Sequence, residues 1–319
     1  MTDGLHWTHL DAGSVPAWAE LTNHLAEVDG TEEFYDAEDL AEELGESGFT
    51  PERDSWAVWS GEVLIAYGQL RVGQQPNNEG VLRCQLDGGV RKDFRGRGIG
   101  RRLMDLMEAR ATELAAQRAP GVPALWRASG GVEGASVRRL LAHRGYAVAR
   151  YFNELALRLP ASVALTVPDG VRLVSPGPEH EEVTRVAHNL AFADHWGSGA
   201  SNPAQWHDFW SGRSLRFDVS TLALDAAGAV LAYVLAGQWV DRQLWIDIVG
   251  TIPSARGRGL AGACLGRTVA AASDSGNYDV VELQVDSESP TGAPRVYERL
   301  GFATTKTFAT MQRRPPCEG

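Results

Sequence analysis

One arrangement occurs twice in this chain and restricts its fold more than any other feature. It is a strand-like apolar run, an Arg-Gly turn, and then a helix-forming run. In the second copy, Leu244 to Gly250 reads LWIDIVG, rich in the bulky apolar residues of a buried strand. TIPSA follows, then Arg256-Gly257-Arg258-Gly259-Leu260-Ala261, which opens the helical run GACLGRTVAAAS. The first copy runs from Val81 to Val90, through RKDF, into Arg95-Gly96-Arg97-Gly98-Ile99-Gly100 and RRLMDLMEARATEL. Landmarks keep a near-constant offset: Arg256 minus Arg95 is 161, and Gly301 minus Gly145 is 156. A period that long marks a repeated domain rather than a solenoid unit. At 319 residues the chain can give each copy its own core.

The turn itself points to an anion. Glycines allow positive φ and close backbone approach, and a helix beginning there directs several unpaired N–H groups and its positive dipole end at one spot. Such a cradle holds a phosphate or pyrophosphate. Neither copy has the Gly-Lys-Ser/Thr of a Walker loop or the Gly-x-Gly-x-x-Gly of a dinucleotide fingerprint. Both fit Arg-x-x-Gly-x-Gly/Ala, on Arg95, Gly98 and Gly100 and on Arg256, Gly259 and Ala261. Charge supports the same reading. The chain carries −11 overall, which argues against general nucleic-acid binding. Yet Arg91, Lys92, Arg95, Arg97, Arg101 and Arg102 crowd the first turn, and Arg256, Arg258 and Arg267 surround the second. Cations at a helix N-terminus are disfavoured unless something offsets them, so a bound polyanion is favoured over a solvated basic face.

No stretch approaches the ~20 apolar residues that span a bilayer, and MTDGLHWTHLDAG lacks the features of a signal peptide. Cys84, Cys264 and Cys317 lie far apart and form no metal-spaced pair. A cytoplasmic protein without disulfides, acting as monomer or homodimer away from membranes, is therefore expected.

Each half is expected to run strand, helices, antiparallel hairpin, strand–turn–helix, strand, helix, strand, with a joint at Leu159-Pro160-Ala161-Ser162. Helices are expected over SVPAWAELTNHLAEVDG, capped by Ser14, and over EHEEVTRVAHNLAFADHWG. Hairpins are expected over SWAVWSGEVLIAYGQLRV and STLALDAAGAVLAYVLAGQWV, the latter turning at Asp225 to Gly228.

With this element order and the Arg-x-x-Gly-x-Gly/Ala turns, the chain resembles the GNAT superfamily of N-acetyltransferases over nearly its whole length. The resemblance implies an α/β (α+β mixed sheet) fold with two tandem domains, residues 1–158 and 163–319. The tandem layout is similar to the mycothiol synthase branch. It also implies acetyl-CoA as the acyl donor, with pyrophosphate held by Arg256, Gly257, Arg258, Gly259, Leu260 and Ala261. Pantetheine would lie on Ile248, Val249 and Gly250, where strand 4 of the family parts from strand 5. The corresponding first-half loop is Arg95, Gly96, Arg97, Gly98, Ile99 and Gly100.

The family segment Ala-x-x-Leu-Tyr-x-x-x-Gly-Phe matches Ala293 to Phe302, which implies that Tyr297 is the acid to the CoA thiolate. Ser289 stands near where relatives carry Asn. In the first half, the residue four before Gly145 is Leu141, which cannot donate a proton. The first domain is therefore read as non-catalytic, either binding acyl-CoA without turnover or purely structural. For the base, Asp247 competes with Glu288. Strand alternation puts Asp247 on the face of Gln243 and Trp245, opposite Leu244, Ile246 and Ile248. A carboxylate satisfied by a neighbour is the equal alternative. His188, His195, Trp196, Trp206, His207 and Trp210 fall in the acceptor region. Core packing is the favoured reading of each, since a lone histidine lacks convergent geometry.

The reading that emerges is acetyl transfer to a primary amine of a small molecule, by direct attack in a ternary complex in the second domain. Its alternatives are acetylation of a cysteinyl amino-sugar conjugate, as mycothiol synthase performs, and a non-catalytic acyl-CoA sensor.

Overall fold

The computed structural model describes residues 4–163, 166–289 and 292–315; Cys317 lies outside them. The elements in chain order are β1 (Leu5–Thr8), α1 (Val15–Asp29), α2 (Ala37–Leu44), α3 (Pro51–Asp54), β2 (Ser55–Ser60), β3 (Val63–Val72), β4 (Leu82–Val90), α4 (Ile99–Arg118), β5 (Ala124–Gly131), α5 (Ser136–His143) and β6 (Ala147–Arg158). The series repeats as β7 (Arg172–Val174), α6 (Glu181–Ala191), α7 (Pro203–Ser211), β8 (Thr221–Leu224), β9 (Val230–Gly237), β10 (Gln243–Thr251), α8 (Leu260–Ser275), β11 (Val280–Asp286), α9 (Ala293–Arg299) and β12 (Ala303–Arg313). The mixed α/β class is as expected.

Local chemistry explains most boundaries. At α2 the cap is reciprocal: Asp36 accepts from the Asp39 N–H at 2.8 Å and Asp39 accepts from the Asp36 N–H at 3.1 Å. The β8–β9 turn closes because the Asp225 carboxylate accepts from the N–H groups of Ala227 and Ala229, each at 2.9 Å. Ser14 departs from expectation. It precedes α1, but its hydroxyl donates back to the Asp11 carbonyl at 2.8 Å instead of capping the helix. Helix α7 has no counterpart among the expected elements; Asn202 caps it through the Gln205 N–H at 2.9 Å.

Two compact units form: Met1–Tyr151 with Phe308–Gly319, and Phe152–Thr307. They depart from the expected division at residues 158 and 163, because each half donates a strand. In the first unit the strand order is β1-β2-β3-β4-β5-β12. Only β4 and β5 are parallel within it, and β12 pairs β5 from Ala309↔Gly131 to Arg313↔Trp126. In the second unit the order is β6-β11-β10-β9-β8-β7. There β10 and β11 are parallel, and β6 pairs β11 from Phe152↔Asp286 to Arg158↔Val280. Met311 of β12 is thus buried in the first unit's core, and Leu155 of β6 in the second's.

Each sheet carries helices on both faces. In the first unit, Ile99, Leu103, Met107 and Ala111 of α4 pack on Leu70, Leu82, Cys84 and Leu86, while Trp18, Leu21 and Leu25 of α1 pack with Leu40 and Leu64 on the other side. In the second unit, Leu260, Cys264 and Val269 of α8 pack on Leu244, Ile246 and Leu283. On its opposite face, Ala187 of α6 and Trp206 and Trp210 of α7 pack on Tyr233 and Leu235.

Candidate active site

The glycine turns have the geometry that their sequence implies. Gly257 and Gly259 sit at φ +76° and +80°, and Gly96 and Gly98 at +77° and +85°. Nothing lies within 4 Å of where a Cβ would stand at any of the four. Gly259 immediately precedes α8 and Gly98 precedes α4, so each open, left-handed turn delivers a helix N-terminus. These residues fit an acyl-CoA pyrophosphate.

The leading arginines do something the motif did not foretell. Arg256 donates from Nη1 and Nη2 to both carboxylate oxygens of Asp194, at 2.5 and 2.9 Å. Its Nη2 also reaches the Ala191 carbonyl at the end of α6 (2.8 Å), and its Nε the Thr251 carbonyl (3.3 Å). Arg95 repeats the clasp in the first unit, with Asp29 at the end of α1 at 2.8 and 2.7 Å and the Val90 carbonyl at 2.8 Å. Each arginine ties its turn to the end of the preceding strand and to a helix on the other face. Arg267, counted with the second basic cluster, instead donates to the Ser220 carbonyl and to the Thr221 and Ser175 hydroxyls. Arg258 is exposed, while Arg97 donates to the Asp93 carbonyl at 2.9 Å and lies over Phe94.

Beside the turn, β10 and β11 separate. Their parallel ladder runs from Gln243↔Val280 to Ile246↔Leu283 and stops, although β10 continues to Thr251 and β11 to Asp286. On the other edge, the β9–β10 register slips between Ile246↔Ala236 and Ile248↔Leu235. Asp247 is therefore the extra residue of a β-bulge. This corrects the alternation expected for Ile248. Leu244 and Ile246 face α8, but after the bulge Ile248 packs with the aromatic cluster of α6 and α7, and Val249 packs on the α8 side. The first unit lacks this feature, since its β3–β4 ladder runs without a slip from Ala66↔Val90 to Val72↔Cys84.

The bulge seats the Asp247 carboxylate over Gly237, where a Cβ would stand 2.8 Å from Oδ2. Burial pushes its pKa up to about 7, against the opposing hydrogen bond from Trp239. Tyr297 lies on the other face of the sheet, in α9, buried with the α8 cluster and edge-on to Phe302 at 6.0 Å. Burial pushes its pKa up to about 12, so it stays an O–H donor at physiological pH. Asp247 and Tyr297 thus lie on opposite faces of the second unit's sheet. Glu288 is exposed in the turn after β11, its own N–H donating to Asp286 at 2.9 Å, and Ser289 follows in the same turn. Leu141, the first-unit counterpart of Tyr297, is fully buried.

Gly250 is needed for packing as well as for backbone access, because a Cβ there would stand 2.4 Å from the Tyr233 ring. The Tyr233 hydroxyl meets His188 Nδ1 at 2.8 Å, and His188 stacks on Phe192 at 4.7 Å. Burial pushes the His188 pKa down to about 4, so its imidazole is neutral at pH 7. This histidine–tyrosine pair joins residues 45 apart in the chain, and no sequence motif announces it. His207 pairs with Glu181 at 2.9 Å, and His195 lies 3.3 Å from the Ser198 hydroxyl. Cys264 is fully buried, and burial pushes its thiol up to about 12, as suits a packed residue. Among the described residues no group of three or more His, Cys, Asp or Glu could hold a metal, and no helix is long and apolar enough to cross a membrane.

Comparisons with known proteins agree with this geometry. The model of the acetyltransferase (GNAT) family matches residues 16–122 and 187–302, one stretch from each half. A mycothiol acetyltransferase of Salinispora arenicola is 31% identical over 266 residues, covering 79% of this chain and 78% of that protein. Among solved structures, a GCN5-related N-acetyltransferase from Sphaerobacter thermophilus superposes with a TM-score of 0.76 at 24% identity, covering 98% of this chain and 96% of that one. A tandem GNAT protein from the clavulanic acid biosynthesis pathway superposes with a TM-score of 0.67 at 20% identity, covering 98% and 100%. Two family matches, each holding one glycine turn between a parting strand and a helix, make this chain a tandem-domain member of the GNAT family of acetyltransferases.

Proposed function

We propose that the second unit transfers an acetyl group from acetyl-CoA to a primary amine of a small molecule, by direct attack in a ternary complex. The observation that carries this reading is the bulge at Asp247. It sits where β10 leaves β11, beside an open glycine turn and with Tyr297 on the opposite face.

Acetyl-CoA, when bound, supplies an acyl carbon already activated as a thioester. The N–H groups that open α8 at Gly259 to Ala261 would hold its pyrophosphate, and the β10 backbone from Ile248 to Gly250 would hold the pantetheine amides. Asp247, half ionised near pH 7, can take a proton from an incoming ammonium to expose the amine lone pair. Tyr297 holds the O–H that would be directed at the departing sulfur. Arg256 acts as a positioning residue, fixing the phosphate turn to the end of α6. Cys264 is fully buried with its thiol pushed up to about 12, so it offers no thiolate for covalent catalysis, which favours direct attack.

A narrower version takes its acceptor from the relatives. Likeness to mycothiol acetyltransferases over most of the chain supports the amine of a cysteinyl amino-sugar conjugate as the acceptor. Thiol release from acetyl-CoA should be followed with that conjugate and with simple sugar amines and amino acids as acceptors. Turnover that is lost in Tyr297→Phe and confined to the conjugate supports the narrower reading. Turnover on other amines supports the broader one. Acetyl-CoA binding without turnover on any amine would leave a sensor instead.

A further inference from the structure

The bulge at Asp247 is matched by a missing side chain on the facing strand. Gly237, the last residue of β9, stands opposite Trp245 in the ladder. The point where its Cβ would lie is 2.8 Å from Asp247 Oδ2, 3.4 Å from the Ser214 carbonyl and 3.5 Å from Trp239 Nε1. Carboxylate and indole therefore converge on space that any Cβ at position 237 would fill. From the loop between β9 and β10, Trp239 donates its side-chain hydrogen bond to Asp247. The backbone around this tryptophan is tied down. Leu215 pairs Gly237 in an antiparallel bridge, and the Gln238 N–H donates to the Ser214 carbonyl at 2.8 Å. Gln238 Oε1 accepts from Arg216 Nε at 3.2 Å, and its Nε2 donates to the Val240 carbonyl at 3.4 Å.

A carboxylate buried here needs a donor, because burial favours its neutral form. Around it, the elements of this face carry Glu282 on β11, His188 on α6, His207 and Asp208 on α7, Arg213 ahead of Ser214 and Asp241 after Trp239. Among the described residues none of these charges offsets the burial; the Trp239 N–H does, and the balance leaves the carboxyl at about 7. A neutral donor suits a base. A cation in its place would depress the carboxyl by ~1–3 pH units and weaken it as a proton acceptor. One N–H also occupies only part of a carboxylate's acceptor capacity, leaving the rest for an incoming ammonium. The first unit has neither partner. The offset of 161 sets Leu86 where Asp247 stands, and residues 73–81, between β3 and β4, contain no tryptophan.

We propose that Trp239 is a positioning residue for acetyl transfer, its indole N–H holding the Asp247 carboxylate in one orientation over the space that Gly237 leaves open. The role rests on the reading of Asp247 as the base. In that step one proton passes from the acceptor ammonium to Asp247, and the nitrogen keeps the electron pair of the broken N–H bond. Trp239 exchanges no proton; its indole only donates. The two residues act differently. Without the indole N–H the charged carboxylate loses its partner, so the carboxyl rises further. With a side chain at position 237 the carboxylate is displaced whatever its charge.

The test joins NMR of the nitrogen-labelled full chain to pH profiles of kcat, which are free of the acceptor's own titration in solution. Thiol release from acetyl-CoA is followed with the cysteinyl amino-sugar conjugate, or with whichever sugar amine or amino acid is turned over. In the wild type without ligand, the indole N–H resonance that Trp239→Phe removes should move with a midpoint near pH 7. Asp247→Asn should abolish that movement. Trp239→Phe should shift the rising limb of kcat upward by about 1 pH unit, a loss of roughly fivefold at the wild-type midpoint that is recovered at high pH. Gly237→Ala should instead lower kcat by roughly tenfold or more across the whole profile. The proposal is overturned if the Trp239 indole does not follow Asp247, or if Gly237→Ala leaves kcat unchanged. It is equally overturned if Trp239→Phe leaves the limb in place while Asp247→Asn removes it. An indole that follows Asp247, with a limb that neither substitution alters, would overturn the base reading itself and the positioning role with it.

Discussion

Asp247 and Tyr297 are both buried ionisable groups, but burial serves them differently. For Asp247 it raises the carboxyl to about 7, where a base at neutral pH should be. The rate at low substrate should therefore climb as pH rises through about 7, and Asp247→Asn should remove that limb and lower kcat by ~10²–10⁴-fold. Pre-steady-state turnover between pH 5.5 and 8.5 checks this. Stability moves the other way. A carboxyl whose folded pKa lies above its unfolded value binds more protons folded, so stability falls as pH rises from about 4 to about 7, and the cost is complete above that. Asp247→Asn should then stabilise the protein by on the order of 1–3 kcal/mol at pH 8 and by less at pH 5, as urea unfolding would read. For Tyr297 the proposed role needs only the O–H. Tyr297→Phe should cut kcat by ~10²-fold or more with little change in acetyl-CoA affinity, and an unchanged kcat would remove it as the donor.

At the scale of elements, the phosphate turns illustrate how a short motif can be read correctly for its glycines and incompletely for its arginine. Gly259→Ala forces a Cβ into left-handed backbone, costing ~1–2 kcal/mol, and should weaken acetyl-CoA binding by calorimetry more than it lowers the melting temperature. The arginine clasp is predicted to behave otherwise. Arg256 and Asp194 are partly exposed, so breaking the pair should cost under ~1 kcal/mol of stability. Because it tethers α6, which carries His188, Arg256→Ala and Asp194→Ala should each raise the acceptor KM, and the double variant should raise it no further. Additive effects in that cycle would show that the arginine acts on the phosphate alone.

Over the whole molecule, the exchange of strands makes each unit depend on sequence from the other half. Met311 is 2% exposed in a core otherwise built from residues 56–146. Met311→Ala should destabilise the first unit by ~2–4 kcal/mol, and near-ultraviolet circular dichroism, which senses Trp126 in that core, should report its transition. Ending the chain after Thr307 should go further. It strips the strand that pairs β5 and leaves a sheet edge open, so the first unit should lose cooperative unfolding. Residues 1–158 expressed alone should fail in the same way.

Periodicity and turn chemistry within each half determined most of the architecture. Apolar runs bounded by glycines located the strands, and the 161-residue offset identified two copies of one domain. The loop glycines were legible because positive φ at a helix start leaves little choice of residue. Tyr297 stood in a contiguous segment, and Leu141 marked its loss in the first copy. Other features depended on pairing, which a strand's own pattern does not record. Residues 152–158 and 309–313 are ordinary alternating strands, and only the ladders show that each completes the other unit. The bulge at Asp247 is a register slip against β9, and it reversed the face expected of Ile248. The Arg256–Asp194 clasp and the His188–Tyr233 pair join residues 62 and 45 positions apart. Such contacts are fixed when strands and helices pack, so the tertiary structure alone decided them.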